Sequence, residues 1–149
     1  MKRMISISAV LLMVALAVSC ASTKEATQED MNEAFDKVYD KYRSSLILDG
    51  AATHTVVSGD TLSKIAQTYY GAEKGYHFPV IMLASSEIVL DPDMIRPGME
   101  LTVPDLQKNL DDPLSRSNIK AYFKDVAKVY EMKGNATVQT RLVEISQSL

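Results

Sequence analysis

The side chains able to do chemistry are few, and their spacing says what they do not do. The chain has one cysteine, Cys20, and two histidines, His54 and His77. A single thiol closes no intrachain disulfide, and in an oxidising compartment it is a liability unless it is blocked. The histidines lie far apart in sequence, and no His, Cys or carboxylate falls at metal-ligand spacing. His54 opens a β-branched run and reads as an edge or packing residue. His77, between Tyr76 and Phe78 at a helix entry, reads the same way. The 19 acidic residues are numerous enough to include a glycosidase-type carboxylate pair. No stretch of sufficient length remains, however, to build a separate substrate cleft around one. The sequence therefore reads as a non-enzyme that calls for no metal and no cofactor.

The elements around these residues divide the chain. Lys2 and Arg3 precede an apolar run from Ile5 to Val18, broken only by Ser6 and Ser8. A membrane-spanning helix needs about 20 apolar residues, so this run has the length of a signal-peptide core instead. Residues 1–19 are read as a signal peptide and 20–26 as a small, polar tether. Without Lys2 and Arg3, 14 basic residues face 19 acidic ones, a net charge of about −5. No basic stripe appears, which argues against nucleic acid as a partner.

Residues 27–50 form an N-terminal helical segment. Thr27 is placed to cap, with Asp30 three positions on. Met31, Ala34, Phe35, Val38, Tyr39 and Tyr42 then make one apolar stripe. The helix is expected over about 28–45, ending before Asp49 and Gly50. At the other end, residues 106–149 hold a polar link (107–115) and two more helices. Ile119, Tyr122, Phe123, Val126, Ala127 and Tyr130 share one stripe, Gly134 and Asn135 stop it, and Val138, Leu142, Ile145 and Leu149 form the last. Each stripe must be buried against something, and the pattern does not choose the partner.

Residues 53–105 carry the strongest signal. Thr55–Ser58 are β-branched and strand-like. Asp60 or Thr61 caps a helix whose inward side is Leu62, Ile65, Ala66 and Tyr69, ended by Gly71. Pro79 enters a second helix through Val80, Ile81, Leu83 and Ala84. Asp91, Pro92 and Asp93 make a turn, Pro97 and Gly98 another, and residues 100–103 a second strand antiparallel to the first. This order closely resembles a LysM domain. The match rests on Val56, Gly59, Asp60, Thr61, Leu62, Ile65, Ala66, Tyr70, Gly71, Ala84, Pro92, Ile95, Pro97, Gly98, Leu101 and Pro104. The implied fold class is α+β: a βααβ LysM domain with one N-terminal and two C-terminal flanking helices.

The resemblance implies a site. LysM domains hold N-acetylglucosamine-containing glycans, such as peptidoglycan, in a shallow groove between two loops. Here these are Ser58–Leu62 and Val89–Ile95, and the implied contacts are Gly59, Asp60, Thr61, Leu62, Asp91, Pro92, Met94 and Ile95. Main-chain amides suit an acetamido group, Gly59 admits close approach, and Leu62, Met94 and Ile95 offer apolar contact. Asp60 also reads as a cap or turn-former, Pro97 and Gly98 as turn-makers, and Met94 and Ile95 as core filling. The chain has no Trp to serve as a stacking platform. It departs from the family in having Ser85 where many members carry Asn, and in the insertion Glu73–Phe78. Leu16, Ala17, Val18 and Ser19 before Cys20 resemble a bacterial lipobox, which implies acylation of Cys20 and a lipid membrane as partner. The whole resembles small single-LysM lipoproteins of spirochaetes, and Ala21 after Cys20 resembles the outer-membrane sorting pattern, which implies a protein facing the periplasm from that membrane. The rival reading has the flanking helices dock an envelope protein through the stripes around Phe123 and Tyr130.

Overall fold

The computed structural model describes residues 26–149. The expected signal peptide, Cys20 and all but the last residue of the expected tether lie outside the described residues. Helix α1 (Gln28–Tyr42) opens with a reciprocal capping box. The Thr27 side chain accepts from the Asp30 amide at 3.2 Å, and the Asp30 carboxylate accepts from the Thr27 amide at 2.8 Å. A 3-10 turn, Arg43–Ser45, follows.

Strands β1 (Ala52–Thr55) and β2 (Glu100–Val103) pair antiparallel, with Ala52 opposite Val103 and Thr55 opposite Glu100. The first strand lies three residues earlier than expected. The reason is the turn at Val57–Asp60, where the Asp60 amide donates to the Val57 carbonyl at 3.1 Å and takes the chain out of the ladder. Val56 still bonds across, donating to the Met99 carbonyl and accepting from the Gly98 amide. Helix α2 (Leu62–Tyr70) is capped by Thr61 and ends at Gly71, whose φ of +109° favours glycine. Leu62, Ile65 and Ala66 are buried as expected. Tyr69 is not: it is 40% exposed, and Tyr70 takes the inward position beside it. After a 3-10 turn (Ala72–His77), helix α3 (Pro79–Ala84) begins with proline at its first position.

Ser85 shows how this chain manages without Asn at the end of α3. Its hydroxyl accepts from the Thr102 amide at 2.9 Å and lies 3.3 Å from the Thr102 carbonyl, to which it donates. That exchange fixes α3 to the middle of β2.

The C-terminal segment differs from the expected link plus two helices. Part of the link is a helix, α4 (Leu106–Asp111), capped by Asp105, and α5 (Pro113–Met132) and α6 (Ala136–Ser148) follow. The polar sequence of α4 turns on Asn109, which is fully buried. Its side chain accepts from the Ile47 amide and the Ser115 hydroxyl and donates to the Ile47 and Asp105 carbonyls, all at 2.8–2.9 Å. It binds the connector before β1 to the helices after β2. A buried amide is tolerated only when satisfied in this way.

One continuous core joins the helices and β2, while β1 contributes no buried side chain to it. Helix α5 packs on α6 and α1, and the Tyr122 hydroxyl donates to the Pro79 carbonyl at 2.9 Å, fastening α5 to the start of α3. Phe35 of α1 meets Tyr130 of α5 edge-on at 6.0 Å. Asp125 on α5 gathers Lys41 and Tyr42 of α1 at 2.8 Å and Lys128 at 2.9 Å. Burial raises its carboxyl pKa, but these donors outweigh it and lower the value to about 2. The stabilisation is complete above the ordinary value of 3.8 and disappears as pH falls through about 2. Because both lysines are largely exposed, Asp125→Asn is expected to cost about 1 kcal/mol at pH 7. Urea titrations should show that difference closing between about pH 4 and pH 2.

Candidate functional site

The first wall of the site is the β1–α2 turn. Gly59 has φ +90°, which favours glycine. The Asp60 carboxylate accepts from the Val57 amide at 2.9 Å and sits 2.9 Å from His54 Nε2. The Val57 amide, then His54, hold its pKa below the usual carboxylate value. Thr61, not Asp60, is the helix cap: its hydroxyl accepts from the Lys64 amide at 3.2 Å. Asp60 is therefore the turn-former, and His54 staples it to β1.

The second wall is the loop after α3. Asp91 accepts from the Asp93 amide at 2.8 Å, and Pro92 starts a 3-10 turn, Pro92–Met94. The Asp91 carboxylate is turned inward. It accepts from Gln28 of α1 at 2.7 Å and from Lys133, beyond the end of α5, at 2.8 and 2.9 Å. Lys133 also holds Asp93 at 2.8 Å and lies 5.8 Å from the ring centres of Phe35 and Tyr130. Burial pushes the Asp91 pKa up, yet Lys133, the Asp93 amide and Gln28 bring the net value below the ordinary one.

A third wall comes from the turn between α5 and α6. Asn135 caps α6 with its side-chain oxygen, accepting from the Val138 amide at 3.1 Å. Its Nδ2 has no hydrogen-bond partner among the described residues. Between the three walls lies a crevice of about 270 Å³. Phe78 and Tyr130 line it with rings edge-on at 6.1 Å, joined by Leu62, Ile95 and Val138. Thr61, Ser63, Asp93 and Asn135 supply polar groups. The crevice is of mixed polarity, with apolar side chains set beside several hydrogen-bonding groups, and a concave site that combines the two can hold a small ligand. Of the two lining carboxylates, Asp60 is held by the Val57 amide and His54, and Asp93 by Lys133. Among the described residues no group of three His, Cys, Asp or Glu residues is placed to hold a metal.

The LysM domain family matches residues 54–104. The chain contains a LysM domain. LysM is a carbohydrate-binding module, and the two turns that build the crevice both fall within it. An uncharacterized protein of Deinococcus radiodurans is 40% identical over 55 residues, which is 37% of this chain and 20% of that protein. An esterase of Mycobacterium tuberculosis is 35% identical over 57 residues, 38% of this chain and 12% of the esterase. The chain thus spans a fifth or less of the length of these curated relatives. No solved structure matches it at a comparable level.

Of the eight glycan contacts implied by the LysM resemblance, five line the crevice: Asp60, Thr61, Leu62, Pro92 and Ile95. Gly59, Asp91 and Met94 do not. Gly59 shapes the turn, Asp91 faces Gln28 and Lys133, and Met94 is 48% exposed beside the opening. The sequence reading did not include Ser63, Phe78, Asp93, Tyr130, Asn135 or Val138. Three of these come from outside the LysM domain. Gly134 and Asn135 were legible as a helix stop, but nothing local shows which surface that stop meets. The C-terminal turn walls the crevice without filling it.

Asp91 is 2% exposed and Lys133 14%. Removing the ammonium strands a buried carboxylate, so Lys133→Met is expected to cost about 2–3 kcal/mol. The double variant Lys133→Met/Asp91→Asn should recover part of that loss, as measured by thermal unfolding at pH 7.

Proposed function

We propose that this protein is a non-catalytic binder of N-acetylglucosamine-containing glycan, peptidoglycan in particular, held at a bacterial envelope membrane by acylation of Cys20. The observation that carries the reading is the convergence of both LysM turns on one crevice with aromatic walls and an unpartnered amide. The faces of a sugar ring are apolar, and the small exposed edges of Phe78 and Tyr130, 4% and 3% of each residue, give such a face an apolar contact inside the crevice. An acetamido group needs one donor and one acceptor, and Asn135 Nδ2 with nearby main chain provides them. The aromatic surface that an absent Trp would have supplied comes instead from two separate elements.

Acylation supports the reading through effective concentration. A single small pocket binds weakly, and attachment to the adjacent membrane raises the local concentration of the second site. The outer membrane, with the protein facing the periplasm, fits the small residue Ala21 after Cys20. The rival reading, a docking module for an envelope protein, loses its surface. Phe123 and Tyr130 are buried within the fold, against other rings, and offer no exposed stripe. The esterase relative carries its named activity on a chain about eight times longer than the shared stretch, and both carboxylates that line the crevice here are tied to donors.

Purified peptidoglycan sacculi should pull down the protein lacking residues 1–20, with no release of soluble fragments. Asn135→Ser keeps a capping oxygen but removes the amide donor. It should weaken sacculus binding about fivefold, one hydrogen bond's worth, with an unchanged thermal midpoint. Protein that stays in the supernatant would sink the proposal. In cells, Cys20→Ser should move the protein from the membrane fraction to the soluble fraction.

A further inference from the structure

A second cleft adjoins the crevice. Ser63 lines both spaces. Beyond it α2 presents Gln67, one turn on, while α6 presents Arg141 and Glu144 after Val138. Helix α6 packs chiefly on α5 and reaches the LysM domain mainly at the 3-10 turn Ala72–His77, which leaves the strip between α2 and α6 open. The cleft holds about 470 Å³, more than the crevice itself.

Its walls differ in kind from those of the crevice. Phe78, Tyr130, Leu62 and Ile95 suit a sugar face. Ser63, Gln67, Glu73, His77, Arg141 and Glu144 suit a chain rich in amides and charges of both signs. Arg141 and Glu144 face each other at 2.9 Å across one helical turn, each more than half exposed. Such a pair contributes little to stability and exchanges partners readily. An arginine fork is well shaped to take a carboxylate in two parallel hydrogen bonds. Gln67 donates to the Ala72 carbonyl at 3.2 Å and His77 meets Phe123 edge-on at 5.9 Å, but among the described hydrogen bonds and ion pairs Arg141 and Glu144 engage only each other.

A sugar lying in the crevice directs any substituent on its Ser63 side into this cleft. An unsubstituted aminosugar polymer has only a hydroxyl to place there. A wall glycan carries a short peptide with carboxylates and an amine. We propose that the cleft between α2 and α6 binds the short charged peptide branching from the sugar held in the crevice, so that the protein prefers peptide-bearing glycan to the bare polymer. This rests on the glycan-binding reading above and goes beyond it by naming the class of glycan.

Three soluble probes test it by calorimetry against the whole protein lacking residues 1–20. They are a disaccharide-peptide fragment of peptidoglycan, the same fragment with its peptide removed by an amidase, and a chitin disaccharide. The peptide-bearing fragment is expected to bind about tenfold more tightly than either bare sugar, a difference of one contact-rich subsite. Arg141→Glu and Gln67→Ala should each abolish most of that advantage while leaving the bare sugars unchanged. Both residues are on the surface, and circular dichroism checks that the variants fold. Equal binding of all three probes by the wild-type protein overturns this inference and leaves the glycan reading standing. So does an equal loss for all three probes in the Arg141→Glu variant. Failure to bind any probe overturns both readings.

Discussion

The Lys133 ammonium between Asp91 and Asp93 is the contact on which the site depends. It lies past the end of α5, outside the LysM domain, yet it fixes the loop that forms one side of the crevice. Gln28, the first residue of α1, holds the same carboxylate from the opposite direction. An inward-facing carboxylate in a low-dielectric setting is costly unless it is fully paired. Asp91 is paired four ways, by Gln28, twice by Lys133 and by the Asp93 amide. The loop position is therefore over-determined, and the turn carrying Asn135 is fixed with it. Preorganisation of this sort lowers the entropy cost of taking a ligand.

The flanking helices are thus part of the domain's structure. Asn109 ties the connector before β1 to α4 and α5, Tyr122 fastens α5 to α3, and Asp125 fastens it to α1. A two-stranded sheet is marginal alone and needs helices on it to be stable. Here α3 lies on β2, and the flanks pack in turn on α3 and on the 3-10 turn before it. The effect on the site is concrete. A groove of two turns has become a crevice of three walls, and the third wall brings Tyr130.

The regular elements were legible because their signals are local. Thr27 and Asp30 marked the start of α1, Pro79 the start of α3, and Gly71 and Gly134 the helix ends. The LysM residues named five of the crevice-lining positions for the same reason, since Asp60–Leu62 and Pro92–Ile95 sit in turns with strong chemical signatures. What failed was longer in range or subtler. The β1 boundary moved because a turn hydrogen bond between Asp60 and Val57 competed with the ladder, and β-branched residues fit either outcome. Helix α4 was hidden because its one buried polar residue, Asn109, looks like loop composition until its four hydrogen bonds are seen. Tyr69 and Tyr70 exchanged roles within a single helical step. Asn135 and Tyr130 were visible as a stop and a stripe member, but their meeting with the LysM turns is a tertiary event without a local code.

The bond from Gln28 to Asp91 also sets a length scale. The Asp91 loop sits beside Gln28, where the described chain enters the fold. Six residues separate Cys20 from Thr27, which makes seven residue-to-residue steps, and an extended chain reaches at most about 3.5 Å per step, or roughly 25 Å in all. With acyl groups at Cys20, the polymer in the crevice would lie within a few nanometres of the lipid headgroups. The molecule would then act as a short spacer that sets how closely wall and bilayer approach, and its reach would be governed by those six residues rather than by the folded body.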